Sequence, residues 1–182
     1  LSTSVLGGIA AYFASGLARR VFVAGSVLTT LVMPYTVVTL LKINQQIIDT
    51  DAEGRMALAS ALSLVQQHHG AKDLITTATL TGSVMVALGT FAAGIFTNDP
   101  SKASKMIQIG LDHDELYWQL PIFPQHHKTL KSGLHTDLIQ CSTGHFSDAS
   151  NAAAYLETFI KPKATFMHLD IAGVAALEEE TG

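Results

Sequence analysis

The 182-residue sequence predicts an α/β fold, a mixed, mostly parallel central sheet flanked by helices. Three observations predict it. Strand-like runs, the β-branched-rich "KDLITTATL" and the later "ATFMHLDIAG" among them, alternate along the chain with stretches of helical apolar spacing. Hydrophobic residues make up 48% of the chain against 14% charged, which implies a large buried core or apolar surface hidden against partners. The length suits one domain, since single cores commonly run to about 100–200 residues.

The elements follow in order. Residues 4–18 read as a buried helix of small side chains ended by Arg19 and Arg20, and "VFVAGSVLTTL" as a buried strand. "TVVTLLKINQQII" reads as two short strands about Lys42, Ile43 and Asn44. Residues 49–54 then form a loop, followed by a helix from Arg55 to His69. In that helix Leu58, Leu62 and Val65 recur at helical spacing, and Gly70 stops it. "KDLITTATL" is a strand that breaks at Thr81, Gly82 and Ser83, before a short helix and the strand "FAAGIFTN". Asp99, Pro100 and Ser101 open a helix running through Ile109, and "LYWQLPIF" is extended because of its prolines. "DASNAAAYLETFI" is a helix capped by Asp148 or Ser150, and "ATFMHLDIAG" is the last strand.

Composition excludes several classes. The formal charge of −4, with Lys and Arg scattered, gives no electrostatic case for nucleic acid. The lone Cys141 excludes an internal disulfide framework and fits a reducing compartment, cytoplasm or an organelle matrix. Residues 1–41 contain two uncharged apolar stretches of near-membrane length. The Gly, Ser and Ala of the first, the β-branched clusters around Pro34 in the second, and the tight Arg19–Arg20 link favour a globular core over membrane insertion.

The chemistry concentrates in "QQIIDTDAEGRMALASAL", where Asp49, Asp51 and Glu53 fall within five positions, with Arg55 two further on. In an extended loop Asp51 and Glu53 point the same way, about 6–7 Å apart, a spacing that suits two carboxylates gripping one cation or flanking two. Such oxygen ligands favour Mg, Mn or Zn, and Arg55 offers a permanently charged fork for an anion. The plainer reading makes the acids complements to the positive end of the following helix. Spacing leaves both open.

Three motifs carry a resemblance. "DTDAEGRMALASAL", "ATLTGSVMVALG" and "HLDIAGVA" occur in that order and resemble the hallmarks of the leucyl aminopeptidase (cytosol aminopeptidase) family, with matching intervals. "SVLGGIAAYF" is similar to the family's helix before its first strand. The resemblance implies that residues 1–182 are most of a C-terminal, zinc-peptidase-like catalytic domain, without the amino-terminal domain and the upstream metal-binding segment. It implies a metal-dependent aminopeptidase acting on peptide substrates through a water activated by two divalent metal ions, Zn or Mn or Mg, and assembled as a homo-hexamer. Carried over by position, Asp51 and Glu53 fall on metal ligands, Arg55 on a catalytic arginine that holds a bicarbonate-like anion, and Thr79, Leu80 and Gly82 on the substrate site.

The chain also departs from that pattern. The family's further metal ligands and its catalytic lysine fall upstream of Leu1. "LVMPYT" replaces a longer polar loop, and "QCSTGHFSDAS" replaces a glycine pair before the late helix. These departures keep open an alternative, a non-catalytic homologue retaining the fold and oligomer as a structural or interaction protein. The remaining candidates read as structural. His68, His69, His126 and His127 are surface residues, His168 makes a satisfied interior bond, Cys141 lacks a base, Tyr117 and Trp118 pack, and Lys128 and Lys131 are solvated.

Overall fold

The computed structural model describes residues 50–131, 138 and 147–175. The expected helix at 4–18, the strands between 21 and 48, and Cys141 lie outside the described residues. Ten elements follow in chain order: α1 (Thr50–His68), β1 (Asp73–Ala78), α2 (Ser83–Leu88), β2 (Ala93–Thr97), α3 (Pro100–Leu111), β3 (Tyr117–Gln119), α4 (Pro124–Leu130), α5 (Asp148–Glu157), β4 (Thr165–Asp170) and α6 (Ala172–Ala175). The described strands form one sheet in the order β1-β4-β2-β3. β1 pairs parallel with β4 and β2 parallel with β3, while β2 runs antiparallel to β4. The sheet is therefore mixed and mostly parallel, as the alternation of strand and helix patterns implies.

The period-two alternation of strand side chains divides the core into layers. On one face Leu74 and Phe166 meet Leu58, Leu62 and Val65 of α1 and the alanines and Leu156 of α5. On the other, Ile75, Ile95, Met167 and Leu169 meet Ala103 and Met106 of α3. Ala152, Ala153 and Ala154 are fully buried, so α5 is a core helix whose small side chains let it lie close to the sheet. Buried Gln66 fastens α1 to the end of α5. Its Nε2 donates to the Phe159 carbonyl at 2.9 Å and its Oε1 accepts the Lys161 amide at 2.8 Å.

Local signals explain most boundaries. Gly70 after α1 has φ +60°, the left-handed conformation that suits a helix stop. Asp99 Oδ1 accepts the Ser101 amide at 3.1 Å with Pro100 in the first helical position, fixing the start of α3. The bond also lowers the Asp99 pKa, with the Ser101 hydroxyl as the largest cause.

Four expectations need correction. Residues 50–54 are not a loop: α1 begins at Thr50, because Asp51 and Glu53 suit the positive end of a helix and Gly54 stays helical within it. Neither Asp148 nor Ser150 caps α5. Its cap is Ser147, left-handed at φ 59°, while the Asp148 carboxylate turns to other partners. Trp118 does not pack; it is 62% exposed on the edge strand β3, whereas neighbouring Tyr117 is buried. His126 and His127 are half-buried and structural. His126 Nδ1 accepts the Phe123 amide at 2.9 Å at the start of α4, and His127 bonds Glu157 of α5 at 2.9 Å. His68 and His69 are exposed, as expected.

Candidate active site

Parallel pairing of β1 with β4 brings their carboxyl ends together, with Ala78 opposite Asp170. Gly94, at the start of antiparallel β2, stands opposite Asp170 on the other side. A side chain there would meet Val84 Cγ2 at 2.8 Å, so the glycine lets α2 settle onto this end of the sheet. The segment from Thr79 to Gly82 crosses from β1 into α2, at the end of an α/β sheet where ligand sites gather.

Asp170 holds that segment in place. Its Oδ1 accepts the Leu80 amide at 3.0 Å and the Ala172 amide at 3.3 Å, and its Oδ2 accepts the Thr81 hydroxyl at 2.9 Å. Thr81 Oγ1 in turn accepts the Val84 amide at 3.2 Å, which starts α2. Asp170 is fully buried. Burial raises its pKa, against the lowering effect of the bonds from Thr81, Ala172 and Leu80. Leu80 is buried in the core, while Thr79 and Gly82 are exposed, so the segment presents its two ends to solvent and anchors its middle.

One pleat back, Thr76, His168 and Phe96 stand in register across three strands. The Thr76 hydroxyl and His168 Nδ1 are 2.8 Å apart, and the Phe96 and His168 rings stack at 6.4 Å. The expected interior bond of His168 is therefore made at Nδ1, while buried Nε2 has no hydrogen-bond partner among the described residues. Full burial pushes the His168 pKa down to about 3, which keeps the ring neutral.

The acidic start of α1 reaches the same end of the sheet. Arg55 is 1% exposed, and its Nη2 donates to Asp148 Oδ2 at 3.4 Å across to α5. The Ser83 hydroxyl, next to Gly82, donates to the same oxygen at 3.3 Å. Asp148 thus joins Arg55 to the start of α2, bringing Arg55 into one network with the residue that follows the Thr79–Gly82 segment. Burying a guanidinium is tolerable only with a counter-charge and hydrogen bonds, which this network supplies.

Glu53 is half-buried, and its Oε1 is buried without a hydrogen-bond partner among the described residues. An orphaned carboxylate oxygen fits a ligand for a hard divalent cation. Asp51 lies in the first turn of α1, which is helical and not an extended loop, so the extended-loop argument does not apply. Among the described residues no group of three or more His, Cys, Asp or Glu could hold a metal ion, so a complete centre would need further donors. Asp148, Ser83 and Asp170 were not legible as site residues: Asp148 resembles a helix cap, and Asp170 the end of a buried strand.

Several known proteins resemble this chain in sequence and fold. A model of the cytosol aminopeptidase family, catalytic domain, matches residues 31–182. A probable cytosol aminopeptidase from Fusobacterium nucleatum is 42% identical over 130 residues, which covers 71% of this chain and 27% of the relative. Another from Chloroherpeton thalassium is 36% identical over 151 residues, 83% of this chain and 28% of the relative. Among solved structures, a mutant of tomato leucine aminopeptidase superposes with a TM-score of 0.66 at 34% identity, covering 74% of this chain and 26% of that one. The chain spans about a quarter of the length of these relatives.

Proposed function

The chain belongs to the cytosol aminopeptidase family, and from that premise we propose that it is most of the catalytic domain of a metal-dependent aminopeptidase acting on peptide amino termini. The observation that carries this reading is the meeting, at one end of the sheet, of Arg55 at the acidic start of α1 with the Thr79–Gly82 segment, through Asp148 and Ser83. In this reading Asp51 and Glu53 hold divalent metal ions, Zn or Mn or Mg, with the remaining ligands supplied from outside the described residues. When bound, such ions lower the pKa of a water and polarise a carbonyl.

The chain's own residues position the substrate. The Leu80 amide is committed to Asp170, which leaves substrate contact to the other backbone groups of the Thr79–Gly82 segment. Exposed Thr79 and Gly82 stand at its two ends, with Gly82 leaving room for the substrate chain. The carboxylates of α1 favour a free, positively charged amino group, which gives selectivity for chain ends. We further propose a cytoplasmic, homo-hexameric protein. Val86 and Phe91 are 91% and 78% exposed, and large exposed apolar side chains favour association. A non-catalytic homologue is the second reading, favoured by the internal pairing of Arg55 and by the lack of a three-ligand cluster among the described residues.

Hydrolysis by the full-length protein separates the two. Turnover of leucine amide but not of N-acetyl-leucine amide, abolished by a chelator and restored by Mn or Zn, is the expected result. No turnover with any of these metals would leave the non-catalytic reading.

A further inference from the structure

The resemblance assigns Arg55 an external bicarbonate-like anion, and the residues around Arg55 do not fit one. The guanidinium is 1% exposed and already faces a carboxylate of the same chain, Asp148 Oδ2 at 3.4 Å. That carboxylate is held from three sides. Arg55 donates to it, the Ser83 hydroxyl donates to the same oxygen at 3.3 Å, and Asp148 lies in the first turn of the ten-residue helix α5, where the backbone favours negative charge.

We infer that Asp148 is a built-in counter-anion of Arg55, and that its carboxylate takes the place an external bicarbonate-type anion would occupy. A carboxylate already fixed by the fold loses no translational freedom on pairing, whereas a free anion does, so the tethered group wins at ordinary concentrations. Asp148 is then a positioning residue: it fixes the direction of the Arg55 fork toward the start of α2. The inference rests on the proposed placement of Arg55 at the active site, but the pairing itself is read from stability and needs no turnover.

The test is thermal unfolding of the full-length protein, in bicarbonate or formate against chloride at equal pH and ionic strength. The wild type, D148A and the polar small variant D148S are compared, so that one variant failing to fold leaves the other. The expected result is a wild-type midpoint that bicarbonate does not move. In D148A or D148S a lowered midpoint rises by about 2–4 °C in bicarbonate or formate but not in chloride. A wild-type midpoint raised by bicarbonate as much as the variants' would overturn the inference. So would folded variants that respond to no carboxylate. Loss of peptide hydrolysis alone, with these shifts intact, would count against the proposed function and leave the pairing standing.

Discussion

The Leu80 amide and the buried Asp170 carboxylate are 3.0 Å apart, so the segment leaving β1 is fastened to the end of the neighbouring strand β4. Two motifs separated by 90 residues in the chain, "ATLTG" and "HLDIAG", are thus parts of one device. The aspartate of the second sets the backbone of the first.

Thr81→Val tests that device with little change of shape. The hydroxyl both donates to Asp170 and accepts from the Val84 amide, so its loss removes one bond from the buried carboxylate and the side-chain acceptor of the Val84 amide. Urea unfolding is expected to show a loss of about 1–3 kcal/mol. A change within a few tenths of a kcal/mol would mean that the bonds contribute little.

His168 predicts a pH dependence of stability. Its folded pKa lies near 3, below its ordinary value of 6.5, so between these values the unfolded chain binds the extra proton. The stabilisation is present above pH 6.5 and declines as pH falls, by at most about 1.4 kcal/mol per pH unit. Asp170, with its raised pKa, contributes in the opposite direction from its ordinary 3.8 upward. His168→Gln leaves Asp170 in place, so the difference between the two pH profiles isolates the histidine. Parallel profiles for variant and wild type between about pH 4 and pH 6.5 would contradict the assignment.

Two glycines predict opposite outcomes for the same substitution. A Cβ at Gly110 would stand 2.4 Å from the Glu115 carbonyl oxygen and 2.4 Å from the Tyr117 ring, and the backbone atom cannot yield cheaply. Gly110→Ala is expected to cost about 1–3 kcal/mol. Gly54, inside α1, has nothing within 4 Å, so Gly54→Ala is expected to add about 1 kcal/mol of stability through helix propensity. Denaturant midpoints of the two variants falling on the same side of the wild type would contradict the packing described.

Much of the fold was legible because local signals agree with it. Leu58, Leu62 and Val65 do face one core, Gly70 does stop α1, and the β-branched run "LITT" does form strand β1. The start of α1 was not legible, because "DTDAEG" carries the residue types of both a loop and a helix's first turn, and only the packed structure decides. Neither was the partner of Arg55. Asp148 lies 93 residues away, and its position before an alanine-rich run reads as a cap until the fold turns it toward α1. Pairings of this kind depend on tertiary placement, which neither spacing nor periodicity encodes.

The metal content of the full-length protein is the most direct test of the central claim, that the acidic start of α1 is part of a metal centre. Glu53→Gln keeps the size of the side chain but removes the charge from the buried Oε1, which has no hydrogen-bond partner among the described residues. After loading with Mn or Zn and removal of free ion, the wild type is expected to retain stoichiometric metal. Glu53→Gln is expected to lose bound metal, with its affinity reduced by at least about 10–100-fold. A variant that holds as much metal as the wild type, with equal affinity, would contradict the placement of Glu53 at the metal centre.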